Sequence, residues 1–161
     1  MKGLLRAGLL GFAAVELVLG VWTVAFPASF YADVPTVDLT PPFSEHLMRD
    51  FGGATLGLAL VLAAAGIWLE RRIVVVALLA YLAFAVPHLA FHLGHLHGAS
   101  DVEATVLAGT LVAAVVVPAA LLVVAALTLP GGHDPAPAQA VDPWAAIDSG
   151  SHARQVASRD S

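Results

Sequence analysis

Residues 73–97 read IVVVALLAYLAFAVPHLAFHLGHLH. A helix that crosses the hydrocarbon core of a bilayer needs about 20 largely apolar residues to span roughly 30 Å. This run supplies that length, and three more of the same kind stand at residues 4–26, 47–69 and 101–129. Each is predicted to be a helix, because a segment in lipid must satisfy its own backbone hydrogen bonds. The period-two alternation of a membrane barrel strand is absent from all four. The expected fold is all-α, an integral membrane four-helix bundle over residues 1–129.

Composition agrees. Of 161 residues, 59% are hydrophobic and 12% charged, against about 25% charged in an ordinary soluble domain. A soluble chain of this length needs far more polar surface to cover its core, so the first partner implied is the lipid bilayer. The chain contains no cysteine, which excludes disulfide scaffolds, cysteine-ligated zinc, iron–sulfur clusters and thiol chemistry. A net charge of −5 with seven Lys+Arg leaves no basic footprint for nucleic acid.

The first run begins like a signal peptide, with Lys2 and Arg6 ahead of apolar sequence. It outlasts the roughly 7–15 apolar residues of such a segment, no clean small-x-small cleavage site follows, and Glu16 sits in its middle, so a retained helix is expected. Lys2, Arg6, Arg71 and Arg72 fall on one side of alternating helices and Arg49 on the other. The excess of basic residues marks the cytoplasmic side, so both termini are expected there, in a multi-pass protein of the cell membrane. The loop 27–46 and the turn near Gly98 then face outward. Gly98 suits a helix C-terminal cap, Ser100 followed by Glu103 suits a capping box, and Thr40 before Pro41 suits an early start to the second helix. Residues 130–161, rich in Pro, Ala, Gly, Ser and Asp, read as a disordered cytoplasmic tail with an isolated Trp144.

Polar residues inside apolar runs are costly and mark functional candidates. His88, His92 and His95 fall within about 60° of one another on a helix, with Tyr81 and Phe84 on the same face. Pro87 frees a carbonyl one turn earlier and favours a kink. Imidazole is the commonest metal ligand and titrates near neutrality, so this stripe points to a metal, haem or proton site, or to an interfacial helix end whose histidines bond water and headgroups. His97 is expected to point away. Glu16 lies about 15 Å below the outer end of its helix and His88 about 14 Å below the end of its own. A Glu16–His88 pair therefore forms if those helices touch; otherwise Glu16 remains a protonated, interior-facing hydrogen-bonding group. Asp50 near a helix N-terminus complements the helix dipole. Arg49 either anchors the loop in an ion pair with Glu45, Asp33, Asp38 or Asp101, or holds an anionic or carbonyl group at the mouth of the bundle. Glu16, Arg49, Asp50 and His88 are expected to share an interior. Gly53 and Gly57 form a GxxxG step suited to close helix approach, and the fourth helix is expected to join the bundle through Gly109, Ala113 and a kink at Pro118.

The first helix, LLRAGLLGFAAVELVLGVWTVAFP, is glycine-rich and ends at a proline, and the second opens MRDFGGATLGLALVLAAAGI with an Arg-x-x-Gly-Gly step. Over residues 4–129 this resembles the DoxX-like group of small four-helix membrane proteins. The resemblance implies that Arg49 and Gly53 belong to that group's second-helix signature. It also implies kinship with membrane subunits, some similar to those of quinone-linked sulfur oxidoreductases and others associated with oxidative-defence proteins. The histidine stripe has no counterpart in that resemblance.

Two function classes follow. One is a redox- or metal-linked membrane module using His88, His92, His95 and Glu16, with His46 nearby, around a transition metal, haem or quinone. The other is a non-catalytic membrane subunit or small-solute carrier, joined to a membrane-protein partner or to copies of itself, in which the same residues serve packing and proton sensing.

Overall fold

The structure, a computed structural model, describes residues 1–39 and 42–131. The expected tail, Trp144 and the Thr40–Pro41 helix start lie outside the described residues. Among the described residues five α-helices form, α1 (Lys2–Ala25), α2 (Pro27–Asp33), α3 (Glu45–Trp68), α4 (Arg71–Leu93) and α5 (Asp101–Thr128), with one 3-10 turn at Val37–Leu39. Four of them, α1, α3, α4 and α5, are long and apolar enough to cross a membrane.

Local chemistry sets the boundaries. Pro27 ends α1 and supplies the first residue of α2, where its missing N–H costs nothing. The loop expected at 27–46 is thus partly helical. Trp22 donates to Ser29 Oγ at 3.1 Å and Ser29 donates to Asp33 at 2.7 Å, which ties α2 back onto α1. Ser44 caps α3 by accepting from the Leu47 N–H. Leu69 closes α3 in the left-handed region at φ 52°, a strained choice for a side chain with Cβ, and packs against the core there. The expected capping box is present in both directions at Ser100 and Glu103.

The end of α4 differs from expectation. The helix stops at Leu93, not at His97. Gly94 is a poor helix former; its N–H bonds Phe91 O and that of His95 bonds His92 O, both in the short-range i–3 pattern of a terminating turn. Gly98 does take a positive φ of 96°, but it does so inside the connecting turn, after the helix is over.

Antiparallel α1 and α3 pack together along their length, α4 packs on α5, and α3 touches α4. The α1–α3 contact is backbone-close. A Cβ added at Gly20 would stand 3.0 Å from the Leu56 nitrogen, and one at Gly52 would stand 3.0 Å from the Val24 nitrogen. The expected GxxxG step is therefore displaced: Gly53 and Gly57 meet nothing within 4 Å, because one residue along a helix turns the face by about 100°.

The core lies toward one end. Leu5, Leu9 and Ala13 of α1 meet Leu62 and Ala65 of α3, Val74, Leu78 and Tyr81 of α4, and Leu121 and Ala125 of α5. At the other end Gly20, Thr23, Phe30, Met48 and Gly52 bury only α1, α2 and α3 against one another. No described residue of α4 beyond Ala85, or of α5 before Pro118, is buried. Pro118 joins the bundle as expected, whereas Gly109 and Ala113 are exposed.

Two arginines tie the α1–α3 pair at its ends. Arg6 donates to the carbonyls of Gly66 and Ile67 at 3.1 and 3.3 Å. Arg49 donates to the carbonyl of Val24. Each helix thus begins with a guanidinium that satisfies last-turn carbonyls of its partner, which have no intrahelical donor and carry the negative end of the helix dipole.

Candidate functional site

The expected polar site resolves into separate places. Glu16 sits mid-way along α1 and is 4% exposed. Phe12, one turn earlier, meets Tyr81 of α4 edge-on with ring centroids 5.1 Å apart. Tyr81 is within electrostatic reach of the Glu16 carboxyl. Among the described residues no hydrogen bond or ion pair engages that carboxyl. The interior placement of Glu16 is as expected, but its neighbour is Tyr81 and not His88. His88 lies seven residues further along α4, about 10 Å of helix rise, and stacks on Phe84.

Arg49 does not face the interior with Glu16. Its Nε and Nη2 donate to Glu45 Oε1 at 3.0 and 2.8 Å, and its third contact is the Val24 carbonyl. The structure places it as the anchor of the α1 terminus. Asp50 also departs from the expected shared interior. It pairs with His46 at 3.3 Å, one turn apart on α3, with side chains 64% and 89% exposed respectively. The reason is register. Met48, Gly52 and Thr55 occupy the buried face of α3, and His46 and Asp50 share a different face one turn apart.

The histidine stripe is divided by the early end of α4. His88 and His92, still on the helix, are in ring contact with centroids 4.6 Å apart. His95 lies in the turn, where its Nδ1 pairs with the Phe91 carbonyl at 2.7 Å and its ring stacks on Phe91 at 4.1 Å. Among the described residues no three His, Asp or Glu side chains converge as a metal-holding group. The three-histidine ligand set expected from helical spacing is therefore not assembled, because the spacing argument holds only while the helix continues. His88 and His92 instead lie within a run of touching rings that leads from Phe51 to Phe84 at 5.9 Å and from Phe84 to His88 at 5.1 Å, and continues from His92 through Phe91 to His95.

No family model, curated protein or solved structure matches the chain.

Sequence reasoning passed over Arg6 as a helix cap and Tyr81 as the neighbour of Glu16. Arg6 carried a readable signal: like Arg49, it stands in the opening turns of an otherwise apolar helix, opposite the end of an antiparallel neighbour. Tyr81 carried none, since its facing depends on how α1 and α4 rotate against each other.

Proposed function

We propose that the chain is a multi-pass protein of the cell membrane that acts as a non-catalytic, proton-responsive subunit, with Glu16 as the group that binds and releases the proton. The observation that carries this reading is the buried Glu16 carboxyl, which none of the described basic side chains reaches. An uncompensated carboxylate in an apolar span is costly, and the protonated acid is the form that needs no counter-charge. The other charged groups support a subunit over an enzyme: Arg6 and Arg49 fasten helix ends, and His46 and Asp50 pair with each other. The Arg-x-x-Gly-Gly step that resembles DoxX-like proteins, and the open Gly53–Gly57 face beside it, support attachment to a membrane-protein partner.

A hydrophobic carbodiimide tests this, since it attacks protonated carboxyls in apolar surroundings and carboxylates poorly. The full chain in lipid vesicles is expected to take up one equivalent at Glu16, located by peptide mass, with labelling that falls as pH rises. Glu16→Gln is expected to take up none. An unlabelled wild type, or equal labelling of the Gln variant, overturns the reading.

The orientation belongs to the same proposal. Lys2, Arg6, Arg71 and Arg72 flank the packed end of the bundle, which by the positive-inside rule is the cytoplasmic one. A reporter that works only in the cytoplasm, fused after Ser161, is expected to be active, and one fused within the 94–100 turn inactive. The reverse pattern inverts the topology.

A further inference from the structure

His88 and His92 are left unused by the Glu16 reading, and the inference drawn from them does not depend on it. The two residues stand one turn apart on α4, where side chains at i and i+4 lie one above the other. Their rings touch edge-on, with centroids 4.6 Å apart. Both are half-buried, and among the described residues neither ring has a protein hydrogen bond. The other described histidines with a polar contact differ in this respect: His95 is paired with the Phe91 carbonyl and His46 with Asp50. The surroundings of the pair are aromatic. Phe84 stacks on His88 at an interplanar angle of 24°, and Phe91 stands edge-on to His92 at 90°. These rings limit how far either imidazole can turn. No carboxylate or cation forms an ion pair with either histidine among the described residues.

We propose that His88 and His92 form a two-imidazole site for a divalent transition metal ion, of the copper(II), nickel(II) or zinc(II) class. Two imidazoles one turn apart on one helix, with ring centroids 4.6 Å apart, can turn a nitrogen each toward one ion, and imidazole nitrogen is the donor type these metals prefer. Hard ions such as magnesium and calcium require oxygen ligands and are not served by this pair. The chain supplies two ligands, so the remaining coordination positions belong to water or to a small exchangeable ligand. The site is thus one for reversible metal capture and not a closed structural centre.

Copper(II) is the probe, because its electron paramagnetic resonance spectrum reports coordinating nitrogens and because it heads the affinity series for nitrogen ligands. The full chain in detergent or lipid nanodiscs is titrated alongside H88Q, H92Q, H88Q/H92Q, H95Q and H97Q, with helicity checked by circular dichroism. The wild type, H95Q and H97Q are expected to bind one tight equivalent with a two-nitrogen signature. H88Q and H92Q are each expected to lose that equivalent while keeping wild-type helicity. Retention of the equivalent by H88Q/H92Q would place the ion on exposed histidines elsewhere and overturn the assignment. So would a loss in H95Q equal to that in H92Q, or the absence of a tight equivalent in the wild type. The carbodiimide result at Glu16 is independent of all these outcomes.

Discussion

Gly52→Leu is expected to unseat α1 from α3 and to give the largest loss of stability of any single change considered. A Cβ at this position meets the Val24 side chain at 2.7 Å, the Val24 nitrogen at 3.0 Å and the Gly20 carbonyl oxygen at 3.1 Å. Two of the three neighbours are backbone, so no rotamer change relieves the clash and the helices must separate. Overpacking typically costs about 1–3 kcal/mol, and a backbone clash belongs at the upper end, a fall in Tm on the order of 10 °C. Gly53→Leu, one residue along, is the control. Its Cβ meets nothing within 4 Å, and its stability in detergent should stay within about 0.5 kcal/mol of wild type. Equal losses from the two substitutions would mean that α3 turns a different face to α1.

The second large effect has the opposite sign. Glu16→Leu is expected to stabilise the bundle by about 1–2 kcal/mol, because it replaces a buried carboxyl lacking a hydrogen bond by an apolar side chain of similar volume. The rise in Tm should appear with the carbodiimide reaction abolished. Stability gained together with reactivity lost is the pattern of a residue retained for its chemistry at the expense of packing. A fall in Tm would instead show that the carboxyl makes a stabilising bond, and the proton-responsive reading would lose its support.

These two residues also mark the limits of what the sequence discloses. That α1, α3, α4 and α5 are long apolar helices is legible from run length, and the Ser100–Glu103 box from local pattern, because both depend on neighbours in the chain. That Glu16 turns inward is legible too, since only one environment tolerates it. The facing of the remaining residues is not, and the reason is physical: lipid is as apolar as the bundle interior, so both sides of a spanning helix accept the same side chains. The choice of Gly52 over Gly53 for the close contact therefore left no trace in the hydrophobic pattern. The histidines failed for another reason. The spacing of His88, His92 and His95 implies one face only if the helix reaches His95, and Gly94 ends it first.

The reciprocal arginines have a consequence for how the protein is made. Arg6, the Gly66 and Ile67 carbonyls it holds, Arg49 and the Val24 carbonyl all precede residue 70. The first hairpin thus completes both of its end fastenings without an atom of α4 or α5. A chain entering the bilayer from its N-terminus can close α1 on α3 while its second half is still being synthesised. The later helices then meet a finished surface, in a register already fixed at both ends.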